Sequence, residues 1–436
     1  MNHHRIITLF ILSLLASGML AAQQGQPADS LSIEDALSRA LSQQPSLEQA
    51  RAQILVSQTR TAQAGLAAKP EVTAEAGYTR LDPVSELSIP GLGGMKLFPN
   101  NNYDAHITAR ATVYDFGKTD AAVDVSRSRV QSSADQLALA RNAVAVQTQR
   151  VFYAILFLQQ SIPVQDEQIA ALHEHERAVK KRLANGTATQ FDVLTTQVRI
   201  AGAENQKIDL LSTLERQKAE FRRLLGLAAG SPVAVRGTFA ESPMPEPETG
   251  SADSALARRP ESLLVRDAEE TAMRQKRAAQ LLSVPAVKAA VQYGFKNGFE
   301  PNFDVLRGNW AAVLKVEVPV YDGGRTRLLE EEAEAALVSE QAHRSDVERQ
   351  IRSDVESALA DVRAAREKVK ISDIQLTQAH EAASIARTRY ETGSVTNLDL
   401  LDAETAETVA RHAQIQALYR AVVSTIELER ALGKRY

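Results

Sequence analysis

Hydrophobic positions recur along this chain with two different periods. Four segments alternate with period 2. Val287, Ala289, Val291, Tyr293 and Phe295 interleave with Lys288, Ala290, Gln292, Gly294 and Lys296. Leu314, Val316, Val318 and Val320 interleave with Lys315, Glu317 and Pro319. Ile107, Ala109, Ala111 and Val113 stand against Thr108, Arg110 and Thr112, and the stretch from Val72 to Tyr78 is the weakest of the four. Successive strand side chains point to opposite faces, so these patterns predict strands at about 71–81, 103–115, 286–296 and 310–320. The other period is seven. Val123, Val130, Leu137, Val144, Val151, Leu158, Leu172 and Val179 are all in register, and only Gln165 breaks the series. Val355, Val362, Val369, Leu376, Ala383 and Tyr390 form a second, more alanine-rich series. Sustained heptads predict long coiled-coil helices, with a kink at Pro163. From Lys118 to Leu183 no glycine intervenes, which at 1.5 Å per residue makes about 100 Å of helix. No ordinary compact core accommodates such a rod, so the rods must pack on each other or on further copies.

The pattern is written twice. Pro45, Pro70 and Tyr78 precede Pro260, Pro285 and Tyr293 by 215 positions each. Tyr114-Asp115-Phe116-Gly117 precedes Tyr321-Asp322-Gly323-Gly324 by 207, as Gly186 to Leu194 precedes Gly393 to Leu401 and Leu225-Gly226 precedes Leu432-Gly433. The only length change falls between Tyr78 and Tyr114, where a loop belongs. The plan is therefore a first repeat at 31–241 with a helical hairpin at 118–226, and a second at 251–434 with a hairpin at 325–433. A Pro- and Glu-rich linker at 242–250 joins them.

Each long helix ends in a glycine turn, Asn185-Gly186-Thr187 or Thr392-Gly393-Ser394, and the next opens at Thr189 or at Thr396-Asn397. Just past the second turn, Asp399 and Asp402 are spaced i, i+3 on one helical face. Around an axis shared by three chains they would form carboxylate rings that attract cations. The plainer reading is that aspartates near a helix N-terminus favour its dipole.

Composition and charge narrow the class. The 436 residues carry 50 basic and 54 acidic side chains, a balance that speaks against nucleic-acid binding. The absence of cysteine removes disulfides, thiolate metal sites and an N-terminal lipid anchor. Arg5 precedes an apolar run from Ile6 to Ala16, then Ser17, Gly18 and Ala21-Ala22, which predicts an export signal at 1–22. His173-Glu174-His175 resembles a metal cluster, but residues i and i+2 of a helix point apart. The glycine-rich segments lack phosphate-loop spacing and its lysine, so neither a cofactor nor a catalytic group is expected. On strands alone, a membrane barrel and a half-buried soluble sheet are both open; so is a periplasmic coiled-coil scaffold.

At the duplicated Tyr-Asp-x-Gly junctions, the segment Leu31-Ser32-Ile33-Glu34-Asp35-Ala36-Leu37, and the motif Tyr390-x-x-Gly393-x-x-Thr396-x-x-Asp399-x-Leu401-Asp402-Ala403, the chain resembles the TolC family of outer-membrane efflux proteins. The resemblance covers roughly residues 31 to 434. It implies a mainly α fold with a small antiparallel β part, a homotrimer with a 12-stranded outer-membrane barrel, and a periplasmic helical barrel below it. It implies passive export from a Gram-negative cell, for a tripartite efflux pump or for type I protein secretion. The implied partners are outer-membrane lipid, a periplasmic adaptor and an inner-membrane transporter of the RND or ABC class. Loops at Asp82 to Asn102 and about Asn297 to Asn309 would lie outside the cell. Asp399, Asp402 and Tyr390 would correspond to the family's constriction, and Asn185, Gly186, Thr187, Thr189, Thr392, Gly393, Ser394 and Thr396 to tips that meet the adaptor. Where some relatives hold the closed tip with an arginine, this chain has Val395.

Overall fold

A computed structural model describes residues 30–89, 93–239 and 251–436. The signal expected at 1–22 and the linker expected at 242–250 lie outside the described residues. In chain order the elements are α1 (Ile33–Gln43), α2 (Pro45–Gly65), a 3-10 turn (Leu66–Ala68), β1 (Glu71–Arg80), β2 (Glu86–Ile89), β3 (Gly93–Lys96) and β4 (Asn101–Tyr114). There follow α3 (Lys118–Ala184), α4 (Gln190–Leu224), α5 (Ser251–Arg258), α6 (Pro260–Gln280), β5 (Ala286–Lys296), β6 (Arg307–Glu317), α7 (Arg325–Glu391) and α8 (Asn397–Ala431). Pro45 and Pro260 each stand at the first residue of a helix, where a missing N–H leaves no bond unmade. Pro163, by contrast, sits inside the unbroken 67-residue α3. No described helix is long and apolar enough to cross a membrane.

The described residues fall into two compact units. One gathers 30–44, 144–239 and 358–428; the other gathers 45–89, 93–143, 251–357 and 429–436.

In the first unit the heptad is the core. Val144, Val151, Leu158, Leu172 and Val179 of α3 are all buried. Gln165, the break in the series, is fully buried as well. Its Nε2 donates to the Ala203 carbonyl of α4 at 3.0 Å, and its Oε1 lies 3.3 Å from His412 Nε2 of α8. A buried amide is tolerated only when so satisfied, and here its contacts tie α3 to α4 and α8.

In the second unit a four-stranded antiparallel sheet has the order β1-β4-β5-β6. Its register pairs Tyr78 with Tyr103, Ile107 with Tyr293 and Tyr293 with Trp310. β1 and β6 are the edges, and neither has a partner on its outer side among the described residues. The strands differ from the periodicity at three ends. β6 stops at Glu317 rather than running to 320, because Pro319 cannot donate to a ladder. It starts earlier, at Arg307, so that the β5–β6 ladder runs unbroken from Lys296↔Arg307 to Ala286↔Glu317. β4 starts earlier too, at Asn101. The buried Asn297 side chain accepts from the Tyr103 N–H at 2.7 Å and donates to the Asn101 carbonyl at 2.7 Å, extending the ladder beyond β5. The first loop is not featureless: β2 and β3 pair within it, Glu86 against Lys96 and Leu87 against Met95.

Candidate functional site

The helix tips are built in the first unit by local rules. Gly186 and Gly393 take φ of 76° each, the left-handed conformation that stops a helix without a Cβ penalty. The N–H of Thr187 reaches the Arg182 carbonyl at 2.9 Å and that of Ser394 reaches the Arg389 carbonyl at 2.8 Å, closing both long helices the same way. Both following helices open on a reciprocal box. Asp192 accepts from the Thr189 backbone N–H at 2.8 Å and donates its own N–H to the Thr189 hydroxyl at 3.2 Å. Asp399 and Thr396 repeat this at 2.9 and 3.2 Å. The Thr396 hydroxyl, then its backbone N–H, hold the Asp399 carboxyl below the usual carboxylate value. Asp399 is thus a capping residue in this chain, whatever else it does.

Asp402 is placed differently. Arg199 of α4 donates to its carboxylate at 2.6 Å, joining the first hairpin to the second. Tyr390, at the end of α7, lies under the Arg182 guanidinium of α3, 4.3 Å from ring centroid to cation. Arg182 also points two N–H groups at the Tyr390 carbonyl, 3.4 Å away. Burial raises the Tyr390 phenol above its ordinary value, against the opposing charge of Arg182. His175 completes the corner, with its ring 5.3 Å from Tyr390 and its Nε2 2.5 Å from Asn397 Oδ1. The other histidine of the His173-Glu174-His175 segment, His173, faces Glu204 instead, at 3.8 Å. Among the described residues no group of three or more metal-ligating side chains is gathered.

The structure therefore brings Asp402 and Tyr390 to partners that the sequence reading did not include, Arg199 and Arg182. The repeat arithmetic held the signal. Arg199 of the first copy corresponds to Ala406 of the second, and Thr195 to Asp402, so cation and anion each occur in one copy only. A second missed group centres on the buried Glu407 of α8. It accepts from His380 at 2.8 Å and from Arg387 and Arg411 at 3.0 Å each, while Arg411 also donates to Glu167 of α3 at 2.7 Å. Burial alone would raise the Glu407 carboxyl, but these donors outweigh it and bring it down. The network locks α3, α7 and α8 together above the tips.

The sheet in the second unit has two unlike faces. One carries Val72, Ala74, Ala76 and Tyr78 of β1, Tyr103 to Val113 at odd positions of β4, Val287 to Phe295 at odd positions of β5, and Trp310, Ala312, Leu314 and Val316 of β6. It is apolar throughout yet open: Trp310 is 74% and Leu314 71% exposed. Tyr78, Tyr103, Tyr293, Phe295 and Trp310 crowd one end, and Tyr114 and Phe116 mark the other. Ten residues separate Tyr103 from Val113, about 33 Å along the strand, or about 25 Å of height at a barrel tilt near 40°. That matches a bilayer core flanked by aromatic rows. The opposite face is polar, with Glu75, Asp104, His106, Thr108, Arg110, Gln292, Asn309 and Lys315. Gly294 lies between His106 and Asn309 in the register; a Cβ there would fall 2.6 Å from the His106 ring, which crosses it to within 3.2 Å of Asn309 Oδ1.

Known proteins carry the same design. The chain is 23% identical over 435 residues to the outer membrane efflux protein BepC of Brucella suis, covering 98% of this chain and 90% of that protein. The solved structure of the outer membrane protein VceC of Vibrio cholerae matches 92% of this chain and 96% of its own at a TM-score of 0.78 and 21% identity. A structure of CusC, described by its folding and transmembrane channel formation, matches 95% of each chain at a TM-score of 0.81 and 16% identity. The sequence profile named Outer membrane efflux protein matches twice, at residues 36–227 and 252–434, and with both repeats accounted for the chain belongs to the outer membrane efflux protein family.

Proposed function

We propose that the chain is the outer-membrane exit duct of a tripartite efflux pump, passing solutes outward without covalent chemistry. The observation that carries this reading is the two-faced sheet. An exposed apolar face of bilayer height, bounded by aromatic rows, belongs in lipid. Its two unpaired edges cannot face hydrocarbon, since each open N–H and C=O there costs several kcal/mol. Further copies must close the ring, and three chains of four strands make a 12-stranded barrel. The helical hairpins then form the periplasmic part. Their tips, Asn185 to Thr189 and Thr392 to Thr396, meet a periplasmic adaptor that links the duct to an inner-membrane transporter. Asp399 and Asp402 line the constriction, and Arg182 over Tyr390 takes the tip-holding place that Val395 leaves empty.

Membrane fractionation tests the reading. An outer-membrane trimer that resists carbonate extraction and dissociates only on heating supports it; a carbonate-soluble monomer ends it. Because the chain has no cysteine, single cysteines at Thr187 and Ser394 report adaptor contact by cross-linking without background.

A further inference from the structure

The polar face of the sheet is unevenly charged. Where the strands approach their helices, a cavity of about 330 Å³ opens beside the 3-10 turn, and Lys69, Arg110, Lys288 and Lys315 line it. Glu71 is the carboxylate in its wall. Glu317 lies 3.0 Å from the Lys288 ammonium and 3.8 Å from that of Lys315, so one carboxylate serves two cations. The side chains of Lys69 and Arg110 make no ion pair or hydrogen bond among the described residues, although Glu71 stands opposite Arg110 in the ladder. Four cations thus face two carboxylates, and two of the four are unengaged.

Snorkelling to a lipid surface does not account for them. Lysines that snorkel extend from the lipid-facing side, and Arg110, Lys288 and Lys315 alternate with Ala111, Ala289, Leu314 and Val316, which hold that side. These three cations are on the opposite face, which the barrel turns to its lumen, and Lys69 lines the same cavity from the 3-10 exit. Nor does the fold need them, since the ladder bonds are made by backbone. Unpaired guanidinium and ammonium groups gathered around one cavity hold oxyanions, the guanidinium through two parallel N–H groups.

We infer that this end of the barrel lumen is an oxyanion-binding collar, a weak transit site for carboxylate- or phosphate-bearing solutes on their way out. The inference rests on the exit-duct reading. Three chains would bring twelve such cations against six carboxylates into one ring. A field of that sign raises the local concentration of anions and is screened by salt. It is separate from the tip aspartates, which attract the opposite charge.

The test is block of single-channel current in planar bilayers by tripolyphosphate added from the extracellular side. The native trimer should be blocked, more strongly at low salt. The double variant Lys69→Gln/Arg110→Gln should bind the blocker about tenfold more weakly, as loss of six charges around a ring implies. Lys370→Gln, a surface change in the other compact unit, should leave block unchanged. If the double variant does not assemble, Lys69→Gln alone, outside the strands, should still weaken block. Conducting trimers that tripolyphosphate does not block, or blocks equally in the variants, overturn the collar and leave the duct standing. A protein that forms no conducting trimer overturns both.

Discussion

Asp402 carries the clearest quantitative expectation, because in the exit duct proposed above its ion pair would change the charge of the constriction. With Asp399 and Asp402 ionised and Arg199 held 2.6 Å from Asp402, each chain brings a net charge of −1 to this level, and a trimer brings −3. Arg199→Gln takes the ring to −6, and Asp402→Asn takes it to zero. A divalent cation about 8 Å from a unit charge in water interacts by about 1 kcal/mol, and 0.1 M salt roughly halves that. Three charges therefore shift cation affinity by about 1.4 kcal/mol, or about tenfold. The assay is block of single-channel current by a divalent cation added from the tip side. Arg199→Gln should tighten block about tenfold, and Asp402→Asn should loosen it by a similar factor. Asp399→Asn is a poorer probe, since it also weakens the reciprocal box that starts α8. If Arg199→Gln leaves block unchanged or weakens it, the pair does not stand at the constriction.

Other expectations follow from the same geometry. Arg182→Gln removes the cation over Tyr390, about 1 kcal/mol per chain, and should raise the open fraction of reconstituted channels; an unchanged open fraction removes the tip-holding role. Leu314→Arg places a charge on the lipid face and should cost about 2–4 kcal/mol of barrel stability, whereas Val313→Arg, facing the lumen, should be mild; equal effects on heat-induced trimer dissociation would contradict the assignment of faces. Asp267 of α6 is lifted to about 7 by burial and by the neighbouring Asp135 carboxyl. Folded, it holds its proton more tightly than unfolded, so its contribution is intact below about pH 4 and is lost as pH rises through about 7. Asp267→Asn should then stabilise the protein at pH 8 by about 1–2 kcal/mol after allowing for solvent screening, seen as a higher melting temperature there but not at pH 4, and an equal change at both values would refute it.

The elements were legible because each rests on a local rule. Alternation marks β4 and β5, the heptad marks α3, and a glycine three residues before a capping threonine marks both tips. What escaped the sequence was decided across long separations. Arg199 finds Asp402 and Arg182 finds Tyr390 from different hairpins, 203 and 208 positions apart. The Gln165 break looked like a fault in the heptad and is a buried knot instead, because its amide meets Ala203 and His412. Pro319 shortened β6 where alternation alone ran on. The four cations of the collar lie on a 3-10 exit and three strands, and only the register gathers them.

The unlike tips have a consequence for ancestry. A ring built from six copies of one repeat would face Thr195 with Arg199, or Asp402 with Ala406, at every contact that now holds a pair. Neither half retains both members, so neither can rebuild the ring by itself. Carrying both repeats on one polypeptide supplies the two members in equal numbers, which two genes each encoding one half would have to match by equal expression.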